Sequence, residues 1–237
     1  MKLNKKLGQH FLNSQGVLDF EATLANPKGK NVLEIGPGDG RLTQKLLERK
    51  PKSLTVVEKD SRWAEHLRTN FEEITVIEGD VLEEKLPKVD VVVGNLPYYI
   101  SSPIIFSLSN LDFNYAVLMV QLEFAKRMVA KPKTSEYGRL SVTSQLLFEV
   151  KLIKKVKKGS FTPPPKVDSA IILLKRKDFK MDKNTEEFIR ILFQHKNQMI
   201  RNALSHGGVK TDVELPKKRA RELSKEEILQ LSKLVKV

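Results

Sequence analysis

Four short apolar runs between Asn31 and Asn95, and what separates them, constrain the fold more than any other feature of the chain. The runs are "NVLEIG", "SLTVVEK", "ITVIEGD" and "VDVVVGN". Within the last, Val91 to Val93 are β-branched without interruption, which suits a central strand covered on both faces. The segments "GRLTQKLLERK" and "SRWAEHLRTNF" between the first three have helical length, and Asp60 or Ser61 can cap the second. Strands separated by helices in this way build a parallel sheet with helices on both of its faces. The expected fold class is therefore α/β.

The flanking sequence extends the pattern. Ser14 can cap a helix running to about Ala25, which "NPKGK" stops. "YAVLMVQ" reads as another strand, "EFAKRMVAK" and "GRLSVTSQLLFEV" as helices, and "VKLIKKV" and "SAIILLKR" as two late strands. The connection between those two, "KKGSFTPPPKVD", holds no convincing helix, so an antiparallel pair at the sheet edge is expected. Around Asp178 to Asn184 the pattern changes. "TEEFIRILFQHKNQMIRNALSH" predicts one long amphipathic helix, with Phe188, Leu192, Met199 and Leu204 on or near its apolar side. Two shorter segments follow, "TDVELPKKRARE" and "SKEEILQLSKLVKV", the second with Ser224 and Glu227 spaced as a capping box. The expected division is an α/β body with a basic N-terminal arm over residues 1–178, and a small helical domain over residues 179–237.

Composition narrows the partners. The 237 residues include no cysteine, which excludes disulfides, thiolate metal sites and cysteine nucleophiles and fits a reducing cytoplasm. The four histidines are scattered without metal-ligand spacing, so no metal is expected. No stretch approaches the roughly 18 apolar residues of a membrane span. The basic start "MKLNKKLGQHFL" lacks the apolar core of a secretory signal, so neither a signal nor a membrane partner is expected. The formal net charge is +13, and residues 175–237 hold 16 Lys and Arg against 9 Asp and Glu. More than half of the excess thus sits in the last quarter of the chain. RNA or DNA is the polyanion such a surface would meet, with a solvated lysine-rich face as the plain alternative.

The chemistry gathers at the strand ends. The first run closes in "EIGPGDG", with glycines at 36, 38 and 40, a turn that lets backbone approach a ligand closely. A dinucleotide fold wants G-x-G-x-x-G, but here the third glycine comes one residue early. A phosphate loop wants a Lys-Ser/Thr pair, which is absent. What remains is a nucleoside without phosphates, or a tight turn with no ligand. The second run ends at Glu58, 22 residues after Gly36, where a carboxylate can accept both hydroxyls of a ribose. The third ends in "EGD" and sets Asp80 where it could accept from an adenine amino group. The fourth ends in "NLPYY".

These residues resemble the S-adenosylmethionine-dependent methyltransferases. More narrowly, "GQHFL", "EIGPGDGRLT", "VEKD", "EGDVL", "GNLPYYISSPI" and "FTPPPKVDSAI" are together similar to the KsgA-type ribosomal RNA adenine dimethyltransferases, over the whole chain. His10, where many bacterial members have asparagine, is more similar to the archaeal and eukaryotic branch. The resemblance implies a Rossmann-like methyltransferase fold with a small C-terminal all-helical domain, and S-adenosylmethionine as cofactor. It implies that His10 and Leu12 border the methionine end of the cofactor, with Gly36 beneath it and Gly38 in the same loop. Glu58 would take the ribose, Asp80 the adenine, and Asn95 the reacting centre.

"NLPY" then acquires a purpose. The exocyclic amine of adenine is a poor nucleophile, because its lone pair is delocalised into the ring. The Asn95 side-chain oxygen and the Leu96 carbonyl are suited to accept its two hydrogens, which would fix the nitrogen and favour positive charge on it. Pro97 stiffens the loop, and Tyr98 offers a face on which the base can stack. A base inside a helix cannot reach such a pocket, so it must be unpaired or flipped out. Phe161 reads as the second face of the clamp, or else as a core anchor between two strands. Lys157, Lys158 and Lys166 flank it and could meet phosphates. In the basic tail Lys196, Arg201, Lys217, Lys218, Arg219 and Arg221 are the phosphate-contact candidates, while His195 reads as part of a solvated face.

The expected activity is dimethylation of two adjacent adenosines in small-subunit ribosomal RNA, on a pre-30S-like particle, by a cytoplasmic monomer. The alternatives are an Erm-type methyltransferase of large-subunit RNA and a non-catalytic ribosome-assembly or transcription factor that kept the fold.

Overall fold

A computed structural model describes residues 10–237. The basic arm ahead of His10, with the first two residues of "GQHFL", lies outside them. The chain forms two compact units, residues up to Ala125 with Lys151–Arg176, and Lys126–Val150 with Lys177–Val237.

The first unit is built on a seven-stranded sheet. Its strands are β2 (Asn31–Ile35), β3 (Ser53–Glu58), β4 (Ile74–Glu78), β5 (Val91–Asn95), β6 (Tyr115–Gln121), β7 (Phe148–Val156) and β9 (Ser169–Arg176), numbered after a short β1 (Phe11–Leu12) and with β8 (Phe161–Thr162) between the last two. The order across the sheet is β4-β3-β2-β5-β6-β9-β7. The first five of these are parallel, and β9 then runs antiparallel to β6 from Gln121↔Ser169 to Tyr115↔Lys175. The late strands therefore neighbour each other at one edge as expected, but it is β9 that joins the parallel body and β7 that lies outermost.

Helices connect the parallel strands: α1 (Gln15–Ala25) precedes β2, α2 (Arg41–Leu47) and α3 (Ser61–Asn70) follow β2 and β3, and α4 (Ser101–Ser107) follows β5. Asp60 caps α3, its side chain accepting from the Arg62 backbone N–H. Ser14 stands at the N-cap of α1 but its side chain makes no capping bond. Its carbonyl accepts instead from the N–H groups of Val17 and Leu18. Val32, Val91, Val93 and Val117 from the strands and Leu18, Ala22, Leu42 and Leu46 from the helices share one buried core.

The second unit contains α6 (Arg139–Leu147), α7 (Lys183–Gln194), α8 (Ile200–His206) and α9 (Lys225–Leu234), the last helices after α5 (Leu122–Met128). Its core joins Tyr137, Val142 and Leu146 to Phe188, Leu192, Leu204, Leu223 and Ile228. Residues 126–150 thus fold with the C-terminal helices, where the sequence placed them in the α/β body. A boundary drawn at 178 follows the change of pattern along the chain and misses an insertion that packs elsewhere.

Two helices are shorter than expected. α6 stops at Leu147, because "FEV" continues into the edge strand. The long helix from Thr185 is two, broken at residues 195–199. Here the backbone turns to partners outside the helix: Ile200 N–H donates to the Lys218 carbonyl, Ala220 N–H to Gln198 and Arg221 N–H to Lys196. Met199, placed on the apolar side of one helix, bridges to Arg219 and is exposed. "TDVELPKKRARE" supplies that partner strip, with only a single 3-10 turn at Ala220–Glu222. The capping box at Ser224 and Glu227 forms as spaced.

Candidate active site

In an open α/β sheet ligands bind beyond the carboxyl ends of the strands, where the strand order reverses. Here the chain winds outward from β2 through β3 to β4, then returns to the other side of β2 with β5, so the reversal lies between β2 and β5. Gly36 follows the first of these strands, and Asn95 ends the second. A cavity of about 130 Å³ opens at this point. Among its walls are His10, Leu12, Gly36, Gly38, Glu58, Asp80, Asn95, Leu96, Pro97, Tyr98 and Phe161. Every cofactor and base-contact residue expected from the sequence therefore borders one space.

The strand tips are held in step by backbone bonds. Gly36 N–H donates to the Val57 carbonyl and Gly79 N–H to that of Glu58. Gly36 and Gly38 have φ of 66° and 57°, left-handed values that favour glycine. At Gly38 there is a second reason: a Cβ would lie 2.5 Å from the Phe11 ring. Glu58 is buried, and its two oxygens accept from the N–H groups of Gly38 (3.0 Å) and Asp60 (2.8 Å). Burial raises its pKa, and those backbone bonds pull the other way. Each oxygen keeps a further lone pair for a hydroxyl donor. Asp80 is bound to Lys59 (2.7 Å) and to the Leu82 N–H (3.0 Å), and the Lys59 bond holds its pKa low.

The acids around the cavity test the expected ligand. Asp39, Glu58 and Asp80 all line it. Such a wall repels a pyrophosphate and suits a phosphate-free nucleoside that carries a positive charge. The Glu58 acceptors and the glycine turn fit S-adenosylmethionine in both shape and charge.

On the other side Leu96 N–H donates to the Met119 carbonyl (3.0 Å), which ties the loop to β6. The Pro97 carbonyl accepts from Ser101 Oγ (3.0 Å), and the Tyr98 hydroxyl meets Ser169 Oγ at 2.6 Å. His10 has a definite contact: its Nδ1 is 2.8 Å from the Pro163 carbonyl, and its ring lies 6.0 Å from that of Tyr98 at 26°. Leu12 pairs with Phe161 where β1 and β8 meet antiparallel. Phe161 is 5% exposed and packed in the core, and it also lines the cavity.

The basic candidates separate by partner. In the first unit Lys157, Lys158 and Lys166 are exposed. In the second, Arg201, Lys217 and Arg219 are exposed, and Arg221 is half-buried. Three of the tail residues are engaged within the unit: Lys196 Nζ donates to the Ser135 carbonyl (2.9 Å), Lys218 pairs with Glu227, and Arg219 donates to the Asn197 carbonyl (3.2 Å). No group of residues able to hold a metal occurs among the described residues.

Sequence reasoning passed over several residues that line the cavity or bond to its lining. Tyr99, 57% exposed beside the cavity, was quoted in "NLPYY" without a role. Ser169 had no local signal, since only the fold brings β9 to Tyr98. Glu21 had one: it lies three residues after Leu18 and four before Ala25, an acid on the buried stripe of α1.

Comparison with known proteins agrees with this geometry. The family model described as ribosomal RNA adenine dimethylase matches residues 1–236. The probable ribosomal RNA small subunit methyltransferase A of Thermococcus sibiricus is 45% identical over 209 residues, 86% of this chain and 76% of that protein. The protein of the same name from Pyrococcus furiosus is 38% identical over 98% of this chain and 92% of its own length. Among solved structures, a dimethyladenosine transferase from Plasmodium falciparum superposes with a TM-score of 0.82 at 30% identity, covering 96% of this chain and all of that one. The 23S rRNA methyltransferase ErmE gives 0.69 at 28% identity, covering 95% and 99%.

Proposed function

Since this chain belongs to the ribosomal RNA adenine dimethylase family, we propose that its cavity carries out N6,N6-dimethylation of two adjacent adenosines in small-subunit ribosomal RNA. One observation supports the chemistry above others: Asn95, Leu96, Pro97 and Tyr98 share one cavity with Gly36 and Glu58, at the point where the strand order reverses. S-adenosylmethionine supplies, when bound, a methyl group on a cationic sulfur that can depart as a neutral thioether. Glu58 would hold its ribose, Asp80 its adenine, and Gly36, Gly38, His10 and Leu12 would surround the rest.

The remaining work falls to the NLPY loop. Asn95 Oδ1 and the Leu96 carbonyl would accept the two hydrogens of the adenine amine, turning its lone pair toward the methyl group. Both acceptors gain strength as positive charge develops on that nitrogen, so they act mainly in the transition state. The proton leaves once the methyl has arrived and the amine has become acidic, so no strong general base is needed. Tyr98, anchored by Ser169, and Phe161 would hold the base between them.

Lys157, Lys158 and Lys166 would steady the flanking phosphates, and the C-terminal unit would add contacts through Arg201, Lys217, Arg219 and Arg221. A pre-30S-like particle as substrate, a cytoplasmic site of action and a monomeric protein complete the proposal. No helix among the described residues is long and apolar enough to cross a membrane.

The test is transfer of labelled methyl groups to purified archaeal small subunits, large subunits and DNA. Label in two adjacent small-subunit adenosines, lost with Asn95→Ala while RNA affinity stays, is the expected result. Label in the large subunit instead would move the protein to the activity that ErmE's name describes. An Asn95→Ala protein as fast as wild type would remove the loop from the chemistry.

A further inference from the structure

Next to Asn95, and not among the residues that line the cavity, stands Glu21 of α1. It is fully buried, 0% exposed, and on a stripe otherwise made of Leu18, Ala22 and Ala25. A carboxyl group in such a position costs free energy whether it is charged or merely short of partners. An apolar residue would avoid that cost, so the acid calls for a compensating role.

Its contact is Asn95. The amide orientation that satisfies both side chains turns Nδ2 to Glu21, 3.1 Å from each of the two carboxylate oxygens. In the opposite orientation Oδ1 would face those oxygens, acceptor against acceptor. One amide nitrogen equidistant from both oxygens is a forked contact rather than a paired acid–amide ring, so it leaves Oδ1 out of the interaction. Oδ1 and Nδ2 diverge from a single carbon. Fixing Nδ2 against α1 therefore directs Oδ1 away from Glu21, and Asn95 lines the cavity.

We propose that Glu21 is a positioning residue for methyl transfer: it locks the Asn95 amide so that its oxygen, not its nitrogen, is presented to the adenine amine. This rests on the activity proposed above. An unlocked asparagine could turn its NH₂ toward the substrate, placing donor against donor and discouraging positive charge where the reaction creates it. Glu21 itself touches neither base nor cofactor. The carboxylate form makes this choice, since a neutral carboxyl group could also donate its O–H to Oδ1. Burial first and the neighbouring Glu34 second oppose that form by raising the Glu21 pKa well above the ordinary value, while donation from Nδ2 to both oxygens favours it.

The experiment compares wild type, Glu21→Met, Glu21→Gln and the same Met substitution in an Asn95→Ala background, on small subunits under saturating conditions. Glu21→Met should lower kcat about tenfold, the rate equivalent of one charge-assisted hydrogen bond. Affinity for S-adenosylmethionine and KM for the RNA should stay put, and the melting temperature should hold or rise, since a buried acid has been replaced by an apolar chain of similar length. Gln retains an acceptor for Nδ2 but adds an NH₂ that could face Oδ1, so it should recover only part of the lost rate. With Asn95→Ala already present, Glu21→Met should slow the reaction no further. Glu21→Leu replaces the Met variant should the latter not fold. Wild-type kcat in the folded apolar variant, or an equal loss with and without Asn95, would overturn the proposal. Failure of the wild type to label small subunits would instead overturn the activity on which it rests.

Discussion

At Glu58 one carboxylate serves two masters, the glycine turn of its own chain and, on our proposal, the ribose of the cofactor. The sequence made the second visible through the 22-residue spacing from Gly36, but not the first, because a backbone N–H leaves no mark in the sequence. Glu58→Ala should lower S-adenosylmethionine affinity by roughly one to two decades, from loss of charge-assisted hydrogen bonds worth about 1.5–3 kcal/mol. Calorimetry that found the affinity unchanged would remove the ribose assignment. Glu34 offers a separate test. Burial above all lifts its pKa to about 8, against 4.5 ordinarily, while the hydrogen bond from Thr43 (2.7 Å) opposes the rise. Between those values the folded protein holds a proton that the unfolded chain has released. This residue's contribution to stability is thus complete below about pH 4.5, declines as pH rises toward about 8, and then levels. Glu34→Gln cannot ionise and keeps an acceptor for Thr43, so its melting temperature should decline less across that window. Melting temperatures of the two proteins that stay parallel from about pH 5 to about pH 8 would contradict the assignment.

The elements show where sequence patterning reads well and where it stops. The parallel strands and their helices were legible because each is defined by a run of its own residues. The capping box of α9 was legible for the same reason. The break between α7 and α8 was not, because its cause lies some 20 residues away in sequence, in the backbone bonds from residues 198–200 and 196 to the strip around Lys218. Residues 126–150 joining the C-terminal helices was hidden likewise, since burial of Tyr137 among them depends on the fold. These contacts allow a ranking. The Tyr137 hydroxyl donates to the Leu223 carbonyl at 2.9 Å in a buried setting. Tyr137→Phe leaves that carbonyl without this donor and should cost about 1–3 kcal/mol. Ser224→Ala removes the N-cap of α9 and should cost about 0.5–2 kcal/mol. Urea midpoints should place the first below the second; a reversed order would show that the helix end, not the buried hydroxyl, anchors this unit.

For the molecule as a whole, net charge pointed toward a polyanion, and its arrangement sharpens the prediction. Sequence alone ranked Lys217, Lys218 and Arg219 together, but Lys218 is committed to Glu227 and Arg219 donates to Asn197. Exposed Lys157, Lys158 and Lys166 carry no such commitment in any contact described above. Replacing these three with Ala should reduce the log–log dependence of RNA affinity on salt by roughly 2–3, at about 0.7–0.9 per phosphate contact. Lys218→Ala should instead lower stability while leaving that slope nearly unchanged. Filter binding at several salt concentrations separates the two, and an unaltered slope in the triple variant would make those lysines a solvated face.

The late entry of β9 into the sheet also dictates an order of assembly. Gly36, Glu58 and Asp80 belong to strands that precede Asn95, and their neighbours in the sheet are already made when β6 leaves the ribosome. The partner of Tyr98 is Ser169, 71 residues further on, and the outer neighbour of β6 is β9, which begins at that same residue. Until those residues emerge, β6 is an uncovered edge, the kind of surface on which nascent chains aggregate. On the proposed reading of the site, the pocket for the methyl donor thus has its strands early, and the clamp for the base closes last.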